Sequence, residues 1–234
     1  MCTAGYFASR ARAQVDGDVR DFFRTIEELA GIPKTRIRPT NDSPFVRLEE
    51  DGQRHLRLLR WGLVPAWSKT EKFPYPTYNA RAETVTEKAT FREPFRRRRG
   101  LMTWISYVEW RDEQGAKIPY EFSLASGEPI AFAGLWDRWG SGDSAFESCT
   151  MITCEPNDLA APYHDRMPVI LQPEDFDGWM DPKSDPKDLL ALLRPLPAEQ
   201  MVAVPANPDD FKRPSSKTKK PETAQPPPAS LFDF

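Results

Sequence analysis

Cysteine is scarce: Cys2, Cys149 and Cys154 are the only three among 234 residues. So sparse and odd a set excludes a disulfide scaffold and points to a reducing compartment. Histidine is scarcer still, so any imidazole chemistry falls to His55 or His164. No stretch approaches the ~18 apolar residues of a membrane span. The N-terminus lacks the apolar core of a signal peptide and reaches charge by Arg10. Excess charge is missing as well. A net charge of −3 provides no global basic field, so a nucleic-acid partner would have to be held by a local patch. These absences predict a cytoplasmic protein, taken as a monomer.

Core material is ample, with 39% hydrophobic and 12% aromatic residues, enough for one large domain. Proline is in excess at 24 residues, against a usual share of roughly 5%, which predicts short elements joined by many loops. "DVRDFFRTIEELAGIP" reads as a helix over 18–33, capped by Asp18 and stopped by Pro33. "PFVRLEEDGQRHLRLLRWG" reads as a hairpin turning at Asp51-Gly52, and "KIPYEFSLASGEPIAFAGLWDRW" as a second one turning near Gly127. "ESCTMITCE" follows as a strand and "SDPKDLLALLRP" as a short amphipathic helix. From Pro205 the chain becomes polar and proline-rich. The expectation is one α+β domain of largely antiparallel strands over 2–204, then a flexible tail over 205–234.

Six groups of residues carry chemistry. If Met1 is removed, Cys2 becomes a terminal 1,2-aminothiol with two nucleophiles on adjacent carbons. "TYNARAET" places Asn79, Arg81 and Glu83 at alternate positions, on one side of an extended segment, where they suit anion binding. "ISYVEW" sets Glu109 among apolar neighbours that would raise its pKa toward proton-transfer duty. "PYHDRMP" holds His164 in a polar loop, where it is either poised near neutral pH or simply bonded to backbone. "WGLVPAW" offers Trp61, Pro65 and Trp67 as a stacking platform for single-stranded nucleic acid. "FREPFRRRRG" adds the one dense basic run, Arg92 and Arg96 to Arg99. His55, in the polar first hairpin, receives no role. Cys149 and Cys154 stand an odd number of positions apart. On one strand they face opposite ways, so they are expected to be buried and structural. No metal and no cofactor is expected.

The order of Cys2, "RPTND", "WGLVPAW", "NARAET", "EW", "PIAFAGLWD", "TMIT" and "HDRMPVIL" resembles the SOS response-associated peptidase (SRAP) family, from Cys2 to about Leu196. The resemblance implies a single domain of barrel-like antiparallel sheets with peripheral short helices. It implies a DNA-repair protein of the cytoplasm and nucleoid that senses abasic sites in single-stranded DNA. The protein would bond to them through Cys2 as a thiazolidine crosslink, a lyase-like activity, with peptidase-type self-processing. Met1 would leave by self-cleavage or by an aminopeptidase. Cys2, Asn79, Glu109 and His164 match the family's catalytic positions. Arg81 and Arg166 match its flanking arginines, and Trp61, Pro65, Trp67 and Thr153 complete the DNA-binding set. Thr3 and Ala4 depart from the family's usual Gly-Arg after the cysteine, and "MTWISYVEW" departs ahead of Glu109. Two other classes remain open. A cysteine hydrolase would pair Cys2 with His164, and a non-covalent binding module would keep only the aromatics and arginines. The tail ends "SLFDF", which loosely resembles sliding-clamp docking motifs; the alternative is that it folds back onto an apolar groove.

Overall fold

The structure, a computed structural model, describes residues 5–8 and 34–211. Cys2, the helix expected over 18–33 and residues 212–234 lie outside the described residues. Among the described residues, twelve strands fall into two sheets. Five of them, β3 (Asp42–Leu48), β4 (Arg54–Trp61), β6 (Arg99–Trp104), β9 (Ile130–Trp139) and β10 (Phe146–Cys154), close on themselves in the order β10-β4-β3-β6-β9-β10. Closure removes the sheet edges. All the pairings in this ring are antiparallel except β10 with β4. Two short strands extend β10, β5 (Asn79–Arg81) on one side and β11 (Met167–Pro168) on the other. The second sheet runs β12 (Met201–Pro205), β8 (Ala116–Leu124), β7 (Ser106–Glu113), β1 (Gly5–Ala8) and β2 (Lys34–Ile37). Short helices α1 (Arg92–Arg97), α2 (Phe176–Met180) and α3 (Pro186–Ala191) sit around the sheets.

Alternation explains the barrel's interior. Along β4, Leu59 and Trp61 point inward and are buried, as the two-residue period of a strand requires. Trp61, Trp104 and Phe132 then meet edge to face, with ring centroids 5.0 and 5.3 Å apart. The same clustering continues to Tyr107 at 6.0 Å from Phe132, which joins the barrel core to β7 of the second sheet. Cys149 and Cys154 are both buried, and burial pushes the Cys154 thiol up to about 12.

The first hairpin forms as expected, with Gly52 in the left-handed region at φ 76°. The second does not. β8 belongs to one sheet and β9 to the other, so the bend at Gly127 passes the chain between sheets. β8 instead pairs with β7 through a two-residue turn at Gln114 and Gly115, whose φ values of 55° and 86° match the strand twist that tight hairpins need. The domain also runs past residue 204. Pro205 is the last residue of β12, and Phe211 is buried against Trp110 at 5.4 Å, with the Arg36 guanidinium 4.5 Å above its ring.

Candidate active site

Glu109 lies in the middle of β7, where its neighbours in sequence are Val108 and Trp110. It is 5% exposed, and Oε1 has no hydrogen-bond partner among the described residues. Burial is the main reason its carboxyl is pushed up to about 7, and the negative charge of Asp165 adds to it. A carboxyl poised there exchanges protons readily at physiological pH. Burial and the direction of the shift are as expected, while Val108 and Trp110 project to the opposite face of the strand.

His164 reaches this strand through its neighbour. Tyr107, Glu109 and Arg111 share one face of β7, and their cross-strand partners Phe122, Tyr120 and Ile118 share the same face of β8. Tyr163 packs on that face, 4.7 Å from the Tyr120 ring and 5.1 Å from Phe122, with Arg111 5.5 Å from its centroid. The tyrosine thus docks the "YHDR" segment over the surface that carries Glu109. Burial pushes the His164 pKa down; Arg166 adds to that and Asp165 opposes it. Nδ1 accepts the backbone N–H of Arg166 at 3.0 Å. An amide N–H can only donate, so the neutral ring carries its proton on Nε2. Asp165 Oδ1 stands 2.7 Å from the same Nδ1, placed to accept from it when the ring is protonated.

The "NAR" segment arrives by another route. β5 runs parallel to β10, with Asn79 opposite Met151 and Arg81 opposite Thr153. On its other side β10 pairs with β11, Thr153 facing Pro168 and Cys154 facing Met167. Residues 79–81 and 164–166 are therefore brought to the same end of β10. Asn79 is half-buried and Arg81 exposed, with Ala80 buried between them. The extended phase stops at Arg81, because Ala82–Thr84 form a 3₁₀ turn. Glu83 therefore does not continue the alternation, yet it returns to the site by pairing with Arg166.

Four expected DNA contacts are placed differently. Trp61 is wholly buried and donates Nε1–H to the Tyr78 carbonyl at 2.8 Å, so it cannot stack on a base. Pro65 is buried too. Thr153 is buried, and its hydroxyl donates to the Ala80 carbonyl at 3.3 Å. Arg166 forks Glu83 with contacts of 2.7 and 2.9 Å, so its guanidinium is already engaged by a carboxylate. Trp67 remains, 59% exposed, in a loop pinned from three sides. Asp137 accepts the Ala66 amide at 3.0 Å, Trp139 donates to the Ser68 carbonyl at 2.8 Å, and Trp67 itself donates to the Ala89 carbonyl at 3.3 Å.

The basic run divides as well. Arg92, Arg96 and Arg97 are exposed on α1. Arg98 pairs with Asp137 at 3.2 Å. Arg99 is buried and donates to the carbonyls of Trp179, Phe95, Arg96 and Asp181. It is a structural residue. His55, given no role, bonds Asp51 at 2.7 Å. No group of three metal-ligating side chains occurs among the described residues.

A two-sheet fold with a closed barrel, carrying a buried glutamate beside a His-Asp-Arg loop and an Asn-Ala-Arg strand, matches one family. The model of the SOS response associated peptidase (SRAP) family covers residues 1–209, and the chain belongs to that family. A Bacillus subtilis relative named abasic site processing protein YoqW is 41% identical over 175 residues, 73% of this chain and 77% of its own. Abasic site processing protein HMCES of Xenopus tropicalis is 29% identical, over 70% of this chain and 58% of its own. A crystal structure of a protein from Bacteroides thetaiotaomicron superposes with a TM-score of 0.75 at 27% identity, covering 91% of this chain and 95% of that one. No helix among the described residues is long and apolar enough to cross a membrane.

Proposed function

We propose that this protein acts on abasic sites in single-stranded DNA and bonds to them covalently through Cys2, after Met1 has been removed. The relatives' names, abasic site processing proteins, support the abasic site as the substrate. The observation that carries the chemistry is Glu109, buried and poised to exchange a proton, on the strand to which the N-terminal strand pairs.

Gly5 pairs with Tyr107 in antiparallel sense. Moving back along the chain from Gly5 therefore corresponds to moving forward along β7, toward Glu109. Cys2 precedes Gly5 by three residues, a span of at most about 10 Å, and this short span supports the pairing of Cys2 with that carboxyl.

The open-chain deoxyribose presents an aldehyde. The Cys2 amine attacks its carbon, giving a carbinolamine, and water leaves to form an imine. The thiolate then adds to the imine carbon, while the nitrogen takes up a proton and closes a five-membered thiazolidine. The net change is loss of one water. At pH 7 only about a tenth of a free α-amine, and a few per cent of a thiol, is in the reactive form. A nearby base therefore accelerates both steps. Glu109 takes the amine proton and returns one to the departing hydroxyl. His164, with its proton on Nε2, serves the sugar oxygen as the ring opens. Asn79 orients the sugar, Arg81 contacts a phosphate, and Trp67 stacks on a base.

The test is to mix purified protein with abasic and intact single-stranded oligonucleotides and run a denaturing gel. A heat-stable adduct with abasic DNA alone, lost in Cys2→Ser, is the expected result. An adduct that persists undiminished in Cys2→Ser overturns the reading.

A further inference from the structure

We propose that Glu83 is a positioning residue that sets the tautomer of His164 through Arg166. The sequence marks Glu83 only as the last of three alternating polar residues, and its strand ends before reaching it. Its carboxylate nonetheless accepts both ends of one guanidinium. Arg166 Nη1 donates to Oε1 at 2.7 Å and Nη2 to Oε2 at 2.9 Å. This bidentate, charge-assisted geometry is among the strong ones. Nη2 also donates to the Thr153 carbonyl at 2.5 Å. The guanidinium is thereby wedged between the end of β5 and the end of β10, with its side chain only 15% exposed.

The backbone of the same arginine does the second half of the work, since its N–H donates to Nδ1 of His164. The histidine is thus held at two points: Tyr163 fixes its N-terminal side on β8, and Arg166 fixes its C-terminal side on Glu83. Between them Asp165 is exposed, with Oδ1 2.7 Å from Nδ1. Two groups therefore compete for one nitrogen. The Arg166 amide requires a lone pair on Nδ1 and leaves the proton on Nε2. Asp165 requires the proton on Nδ1 itself. While Glu83 holds Arg166 in place, the amide prevails. With the fork gone, the 164–166 backbone loosens and Asp165 takes the ring, moving the proton from Nε2 to Nδ1. The ring then presents a lone pair where it had presented a donor.

Long-range ¹H–¹⁵N correlation of histidine-labelled full-length protein reads the tautomer directly, without DNA. The chain has only two histidines, and His55, bonded to Asp51 on another strand, is an internal control. In the parent protein, His164 is expected as the Nε2–H form. In Glu83→Ala the Nδ1–H fraction should rise several-fold while His55 is unmoved. Glu83→Gln keeps the volume and loses the charge, so it should fall between the two; it also supplies the measurement if the alanine variant fails to fold. An unchanged His164 tautomer in a folded Glu83 variant overturns the proposal. The consequence for rate rests on the reading of His164 as a proton-transfer group. On that reading, adduct formation or reversal should slow about tenfold in Glu83→Ala, with affinity for intact oligonucleotide held. A parent protein that forms no adduct rejects the function proposed above but leaves the tautomer result standing. Adduct formation at the parent rate with a switched tautomer rejects only the link between His164 and the chemistry.

Discussion

Trp61 and Trp104 meet edge to face at 5.0 Å inside the barrel, while Trp67, six residues on, stands at the surface. Two tryptophans of one short segment thus have opposite duties. Trp61→Ala should destabilise the fold by about 3–5 kcal/mol, the cost of an aromatic cavity. Trp67→Ala should leave thermal stability nearly unchanged and weaken single-strand binding by about 1–3 kcal/mol, the worth of one stacked base. Parallel melting and anisotropy titrations check both. Equal losses of stability in the two variants would reject this division.

Glu109 links pH to stability. Its folded pKa of about 7 lies above the unfolded carboxylate value, so the folded state holds the proton more tightly. The stabilisation from protonation is fully present below the unfolded pKa and is lost as pH rises through about 7. Glu109→Gln cannot ionise. It should match the parent near pH 4 and exceed it at pH 8 by on the order of 1–3 kcal/mol. Its adduct-forming rate should meanwhile fall ~10²–10⁴-fold. Denaturant melts at the two pH values test the first claim; a variant less stable than the parent at pH 8 would contradict it.

Arg97 and Arg99 are two positions apart and should behave differently. Arg99→Ala strands the carbonyls of Phe95, Arg96, Trp179 and Asp181 and should cost roughly 3–5 kcal/mol. Arg97→Ala should stay within about 0.5 kcal/mol of the parent. Chemical denaturation of the two variants decides.

Arg81, exposed and next to the site, is the proposed phosphate contact. Arg81→Ala should weaken oligonucleotide binding and reduce the salt slope of log K by about 1. An unchanged slope would remove the contact.

These contrasts show where the sequence is informative and where it is not. The Asp51-Gly52 hairpin is legible because its pairing is local and its turn chemistry specific. The bend at Gly127 carries the same turn signal, but whether the next strand pairs back or crosses to another sheet depends on distant partners. Trp61 carries an inward signal in the sequence: it lies two residues beyond Leu59 on one strand, and both face inward. Arg99 likewise opens the apolar run "RGLMTW", which marks it as the start of a strand rather than part of a basic surface. Glu109 is legible as buried because Val108 and Trp110 mark its segment as a covered strand, although they project to the other face. Glu83 has no comparable local signal, because its partner lies 83 residues away and meets it only through β10.

Gly5 pairs with Tyr107 and lies against Trp104, where a β-carbon would come within 2.0 Å of a ring carbon. No larger residue fits without moving a tryptophan of the barrel core. Gly5 therefore acts as a peg that stops the first strand from sliding along β7. Cys2, the nucleophile proposed above, precedes that peg by three residues. One residue inserted between the two lengthens the extended chain by about 3.5 Å, and one removed shortens it by as much. On the covalent reading proposed above, the reach of Cys2 would thus be set by its distance in sequence from a packing contact deep in the protein rather than by anything at its surface.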